Sequence, residues 1–146
     1  MRTVGLVVLV VVALGFDFTN GFHDAANAVA TSITTRALRP LTALAMAAGL
    51  NVVGALVSTK VAQTVGAGVI TPPHGNSGLL VVFCALIGAI AWNLLTWRLG
   101  LPSSSTHALI GGLVGAALGA SATVHWTGLV DKVVIPMAAS PLIGLA

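Results

Sequence analysis

Charge is what this sequence has least of. Six of its 146 residues are Lys or Arg and three are Asp or Glu, so charged residues make up 6% of the chain against 57% hydrophobic. A soluble domain carries roughly 25% charged residues, and nine such side chains cannot clothe a core of this size in a polar shell. A soluble enzyme and a disordered tail are excluded on that ground, and the mean hydropathy of +1.05 agrees. The formal charge of +3 comes without any cluster of basic residues, so there is no electrostatic footprint for nucleic acid. Cysteine is nearly absent. Cys84 stands alone, which excludes an internal disulfide and a cysteine metal cluster. Alternation of apolar and polar residues is also missing, which argues against a porin-like barrel despite the many valines.

What is present is a succession of apolar stretches. A helix that crosses a bilayer needs about 20 apolar residues. Uncharged runs cover 3–16, 40–59, 61–97, 99–130 and 133–146. The longest is interrupted by Gly66, Gly68, Pro72, Pro73, Gly75 and Gly78, so it divides into the end of one helix, a loop and a second helix. The pattern predicts helices over 4–20, 24–36, 40–65, 78–99, 104–120 and 127–146. The expected fold is an all-α membrane protein, a single transmembrane domain over 1–146 set in a lipid bilayer. Arg2 followed by Val4–Leu14 has the outline of a secretory signal, but the rest of the chain is equally apolar, so a first helix is the better reading. Arg36, Arg39 and Arg98 vote for the cytoplasmic side, against Arg2 and Lys60.

Polar groups inside such spans usually mark a pathway or pocket. The densest cluster is NGFHDAANAVAT, residues 20–31. Asn20, His23, Asp24, Asn27 and Thr31 follow helical spacing and share one face. Asp17 lies one turn earlier, and Gly15 and Gly21 are expected to break this first helix. A broken helix frees backbone groups that can hold ions. The plainer reading is a polar seam that joins two helices. The second cluster is PSSSTHALIGG, residues 102–112. Pro102 starts a helix, and Ser103 or Ser104 caps it. Ser103, Ser104, Ser105 and Thr106 would join the free amides of the helix start, all aimed the same way, as a ready anion site. His107 sits one turn in. The helix over 104–120 is only about 25 Å long, so it is expected to be one arm of a re-entrant hairpin whose tip is the Ser-rich turn. Gly111, Gly115 and Gly119, with Gly112 beside them, form a small-residue face suited to close helix packing. Asn51, Asn93 and Thr96 are expected to make helix–helix hydrogen bonds, and His74 and His125 to be solvated in loops.

The two clusters resemble the inorganic phosphate transporter family, the sodium- or proton-coupled phosphate permeases. The residues that carry the resemblance are His23-Asp24-Ala25-Ala26-Asn27 and Pro102-Ser103-Ser104-Ser105-Thr106-His107. The segment GFHDAANAVATSITTRAL over 21–38 is most similar to the bacterial low-affinity branch, with His23 where sodium-coupled members have Asn. The resemblance implies two inverted repeats, each with one Asp/Asn motif and one Ser/Thr hairpin. This chain has each motif once, so it looks like the first repeat, a fragment that a second repeat or a homo-oligomer partner would complete. By the same pattern Ser104, Ser105, Thr106 and Asn27 would hold phosphate, while Asp24, His23 and Asn20 would serve a coupling cation or proton. Hydroxyls and amides suit an oxyanion that must also be released. Asp24 would repel bare phosphate, and makes sense with a proton, sodium or a divalent metal complexed to phosphate. An imidazole titrates near neutral pH and an amide does not, which favours proton coupling. The expected function is secondary active phosphate symport across a bacterial inner membrane, with no cofactor. The alternative is a non-transporting membrane subunit or channel-like helix bundle. An intramembrane hydrolase built on Ser105, His107 and Asp24 lacks a G-x-S-x-G elbow.

Overall fold

We analysed a computed structural model that describes residues 2–57 and 68–145. The expected continuation of the second long helix to residue 65 lies outside the described residues. Helix α1 spans Arg2–Thr34 and helix α2 spans Pro40–Val57. A two-residue strand β1, Ile70–Thr71, leads to helix α3, Asn76–Leu99. Helix α4 covers Ser105–Gly119, strand β2 covers Thr123–Val124, and helix α5 runs over Trp126–Leu145. The turn Val130–Val134 within α5 is wound as a π-helix.

The expected break in the first helix is not there: α1 continues through Gly15 and Gly21 for 33 residues. An isolated glycine costs about 1 kcal/mol of helix propensity relative to alanine, but it keeps its N–H in the ladder. Proline would remove it, and the first proline is Pro40. At 1.5 Å per residue α1 is about 50 Å long, well beyond a hydrocarbon layer of about 30 Å, so it tilts or projects from it. The chain then reverses at Arg36, which takes a left-handed φ of 59°, with Leu38 N–H bonded to the Ser32 carbonyl. Pro40 opens α2 at a position where its missing N–H is not needed.

Four helices are long and apolar enough to cross a membrane: Thr3–Thr34, Pro40–Val57, Asn76–Leu99 and Trp126–Leu145. The chain is therefore a multi-pass, all-α membrane protein. Its surface is apolar, with Leu41, Leu56 and Leu145 more than four-fifths exposed. Its interior mixes larger side chains such as Val81, Leu86 and Ile110 with small ones, Ala85, Ala89 and Ala117 among them. In lipid the small ones matter because they let backbones approach closely.

Contacts at both ends fix how the helices run. Gly5 faces Leu79, and His23 faces Thr96, so α1 and α3 are parallel. The ends carrying Arg36 and Arg98 therefore point to the same side. Helix α4 returns antiparallel along α3: Trp92 bonds Ser103, and Gly112 lies against Ala85. The reversal uses Gly100 at φ 65°, with Leu101 N–H on the Thr96 carbonyl at 2.9 Å, a left-handed helix cap. Strands β1 and β2 pair antiparallel, Ile70 with Val124 and Thr71 with Thr123, and close the open end of this hairpin. His125 joins that closure rather than being free in a loop, since its Nε2 lies 2.7 Å from the Thr71 hydroxyl.

The glycine stripe works differently from the sequence expectation. A Cβ on Gly111, Gly115 or Gly119 would meet nothing within 4 Å, whereas one on Gly112 would sit 2.5 Å from the Ala85 carbonyl oxygen. Only one of the two adjacent glycines can face α3, and the backbone contact selects Gly112. Gly112→Ala is expected to destabilise this chain by about 1–3 kcal/mol, because backbone must move to admit the methyl group. Gly115→Ala is the control. Thermal unfolding of both variants in detergent micelles tests the assignment, and equal melting temperatures would refute it.

Candidate functional site

Two segments far apart in sequence meet at one carboxylate. His23 Nδ1 lies 2.9 Å from Asp24 Oδ1, and Ser105 Oγ donates to Asp24 Oδ2 at 3.2 Å. A carboxylate only accepts, so His23 carries its shared proton on Nδ1. The imidazole is almost wholly enclosed, while the Asp24 side chain keeps 38% of its surface. One face of the pair is thus packed and the other open.

Local structure explains the convergence. His23 lies on the α1 face that meets α3, and Asp24 beside it reaches the start of α4. Ser104 caps α4, its Oγ accepting from His107 N–H at 3.3 Å. Ser105 is then the first helical residue, buried with 1% exposed. The α4 N-terminus, where dipole and free amides favour negative charge, therefore faces the Asp24 carboxylate.

The four hydroxyls of the Ser-rich turn do not point the same way. Ser105 reaches Asp24, whereas Ser103 accepts from the Trp92 indole N–H at 2.9 Å. Ser103, Ser104 and His107 line a cavity of about 430 Å³ between α3 and α4, together with Gly88, Trp92 and Gly111. Thr106 is exposed. Ser103 and Ser104 precede the helix, and its first two residues, Ser105 and Thr106, are turned by about 100° from one another, so the four do not share a direction. On α1, Asn20 is half-buried and Asn27 exposed. His23, Asp24 and Ser105 are thus brought into contact. Ser104, Thr106, Asn20 and Asn27 do not join that hydrogen-bonded set.

Two residues of α3 had been assigned only to helix–helix contacts. Thr96 lies at one: its Oγ1 is 3.3 Å from His23 Nε2, and the carbonyls of Trp92 at 2.9 Å and Asn93 at 3.1 Å are alternative acceptors for its single hydroxyl proton. Asn93 is enclosed on the same face. The available signal was spacing, since Asn93 and Thr96 are three residues apart, as are Asn20 and His23. Phe22 packs edge-on against Trp97 at 5.3 Å, a second contact between α1 and α3 beside His23 and Thr96. Among the described residues, no group of three His, Cys, Asp or Glu side chains could hold a metal ion.

This arrangement can hold a proton or cation at the carboxylate and offer hydroxyl and amide donors beside it. Residues 20–146 match the model of the Phosphate transporter family. A Streptomyces halstedii protein named "Probable low-affinity inorganic phosphate transporter" is 67% identical over 141 residues, covering 97% of this chain and 66% of that protein. A Bacillus subtilis protein of the same name is 46% identical over 139 residues, with 94% and 41% covered. The "Low-affinity inorganic phosphate transporter PitA" of Escherichia coli is 40% identical over 156 residues, with 97% and 31% covered. The chain thus spans from about a third to two thirds of these relatives. No solved structure matches it. On the family match over 20–146, this chain belongs to the phosphate transporter family, a family of transporters and not of enzymes.

Proposed function

We propose that this chain forms one half of an inorganic phosphate symporter of the cell membrane, driven by a proton gradient. The observation that carries the reading is the Asp24 carboxylate shared between His23 and Ser105. Ser105 has one hydroxyl proton, so it serves either Asp24 or an incoming oxyanion. A proton or cation on the His23–Asp24 pair weakens the hold of the carboxylate and frees that hydroxyl for phosphate. Coupling then follows from competition for one donor. Phosphate would sit at the start of α4, on Ser105 with Ser104, Thr106 and Asn27 around it, and Asn20 would serve the coupling side. A divalent metal carried with phosphate would find its ligand in Asp24.

The α3–α4 hairpin, with its tip at the Ser-rich turn, would enter and leave the membrane on one side. A second Asp/Asn motif and a second hairpin, supplied by an inverted repeat or a second copy, would complete the site. The test is uptake of labelled phosphate into vesicles holding the full-length protein. An imposed inward proton gradient is expected to drive accumulation without sodium. Accumulation that follows a sodium gradient alone would overturn the coupling, and no accumulation under either gradient would overturn the symport.

A further inference from the structure

Among the described residues, the exception to polar satisfaction lies on α3. Asn93 is fully enclosed, and neither its Oδ1 nor its Nδ2 has a hydrogen-bond partner. The other buried polar side chains among the described residues are all bonded: Thr19 to the Phe16 carbonyl, Thr96 to its own helix, and Ser105 to Asp24. Buried polar groups are nearly always paired, and an exception calls for an explanation.

Its position supplies one. His23 and Thr96 are 73 residues apart and in contact across two parallel helices. The same offset puts Asn20 level with Asn93. On the other side α4 runs antiparallel, and the bond from Trp92 to Ser103 puts Asn93 level with the start of α4. There Ser104 takes the His107 N–H on its side chain and the Ala108 N–H on its carbonyl. The N–H groups of Ser105 and Thr106 have no carbonyl within the helix. Asn93 therefore stands between the polar stripe of α1 and the electropositive end of α4, one turn from the Thr96–His23 contact.

We propose that Asn93 binds the transported phosphate and reads its proton, with Nδ2–H donating to a P–O oxygen and Oδ1 accepting from a P–OH group. This rests on the phosphate reading above and adds to it a residue outside both motifs. The chemistry follows from both amide atoms being unpaired. A bare cation would satisfy Oδ1 and leave Nδ2. A fully deprotonated oxyanion such as sulfate would satisfy Nδ2 and leave Oδ1. Phosphate near neutral pH presents an acceptor and a donor side by side, and a carboxamide matches that pair. Preference for phosphate over sulfate is then built into one side chain.

The experiment compares Asn93→Thr with Asn93→Val in the full-length transporter. The two side chains have the same shape and differ by one hydroxyl, which both donates and accepts. Equilibrium binding of inorganic phosphate is expected to stay within about threefold of wild type in the Thr variant. It is expected to weaken a further tenfold or so in the Val variant, and the preference over sulfate should narrow by a similar factor. The phosphate-free Val variant should melt no lower than wild type, since it buries no unpaired amide, which separates lost affinity from lost fold. Equal affinities in the two variants would overturn the proposal and leave Asn93 as the seat of a buried water. Should the Val variant not fold, asparagine-edited infrared difference spectra decide, taken as wild type minus the Thr variant. A carboxamide band that moves on adding phosphate, and not on adding sulfate, supports the proposal; a band that stays overturns it. Wild-type protein that binds no phosphate would show instead that the phosphate reading has failed, and this inference with it.

Discussion

Asp24→Asn in the full-length transporter is expected to reduce phosphate uptake by about a hundredfold or more, with the protein still inserted in the membrane. The carboxylate accepts from His23 on one oxygen and from Ser105 on the other. An amide keeps one acceptor and turns the second into a donor, so one of those two partners meets an N–H instead of an oxygen. The negative charge that would hold a proton or cation is gone as well. Insertion should not suffer, because a charge within an apolar span costs a few kcal/mol and an amide costs less. Labelled uptake measured beside membrane abundance separates the two effects. Wild-type uptake by this variant would make Asp24 a structural residue.

His23→Asn is expected to abolish the dependence of uptake on a proton gradient. Asn can still donate to Asp24, so the geometry on that side survives. It cannot take up a proton in the physiological range, as an imidazole can. It is also too short to reach Thr96, which would then serve only the Trp92 and Asn93 carbonyls of its own helix. The polar contact from α1 to α3 is lost together with the imidazole. Vesicle uptake at matched internal and external pH, against uptake under an imposed gradient, gives the ratio to be measured. A ratio unchanged from wild type would remove His23 from the coupling path.

Much of the architecture was legible because apolar runs and their punctuation are local. Gly100, Pro102 and Ser104 mark the turn between α3 and α4, and the observed helices end within two residues of that reading. What depends on tertiary contact was not legible. Two-residue strands have no periodicity to detect, so the pairing of Ile70 with Val124 leaves no trace in sequence. Gly111 and Gly112 are equivalent by type, and only the approach of Ala85 distinguishes them. Glycine at positions 15 and 21 lowered helix propensity without breaking the helix. For the candidate site, motifs located Asp24 and Ser105 on separate helices, and the fold joined them. Thr96 and Asn93 stood outside any motif. A lone polar residue in an apolar helix looks the same whether it braces a neighbour or awaits a ligand, and burial without a partner is what tells them apart.

The small ladder between β1 and β2 also acts as a ruler. It joins positions 70 and 124, which are far apart along the chain but adjacent at the base of the α3–α4 hairpin. During synthesis it cannot close until α3 has reversed at Gly100 and α4 has returned along it. By then helix packing has met the entropy of loop closure, so the strands come together late and at little further expense. One extra turn in α4 would carry Thr123 about 5.4 Å along the helix axis and out of register with Thr71. The 15 residues of α4 are therefore a matched length, and an insertion there should be felt at the clasp before it is felt at the Ser-rich tip.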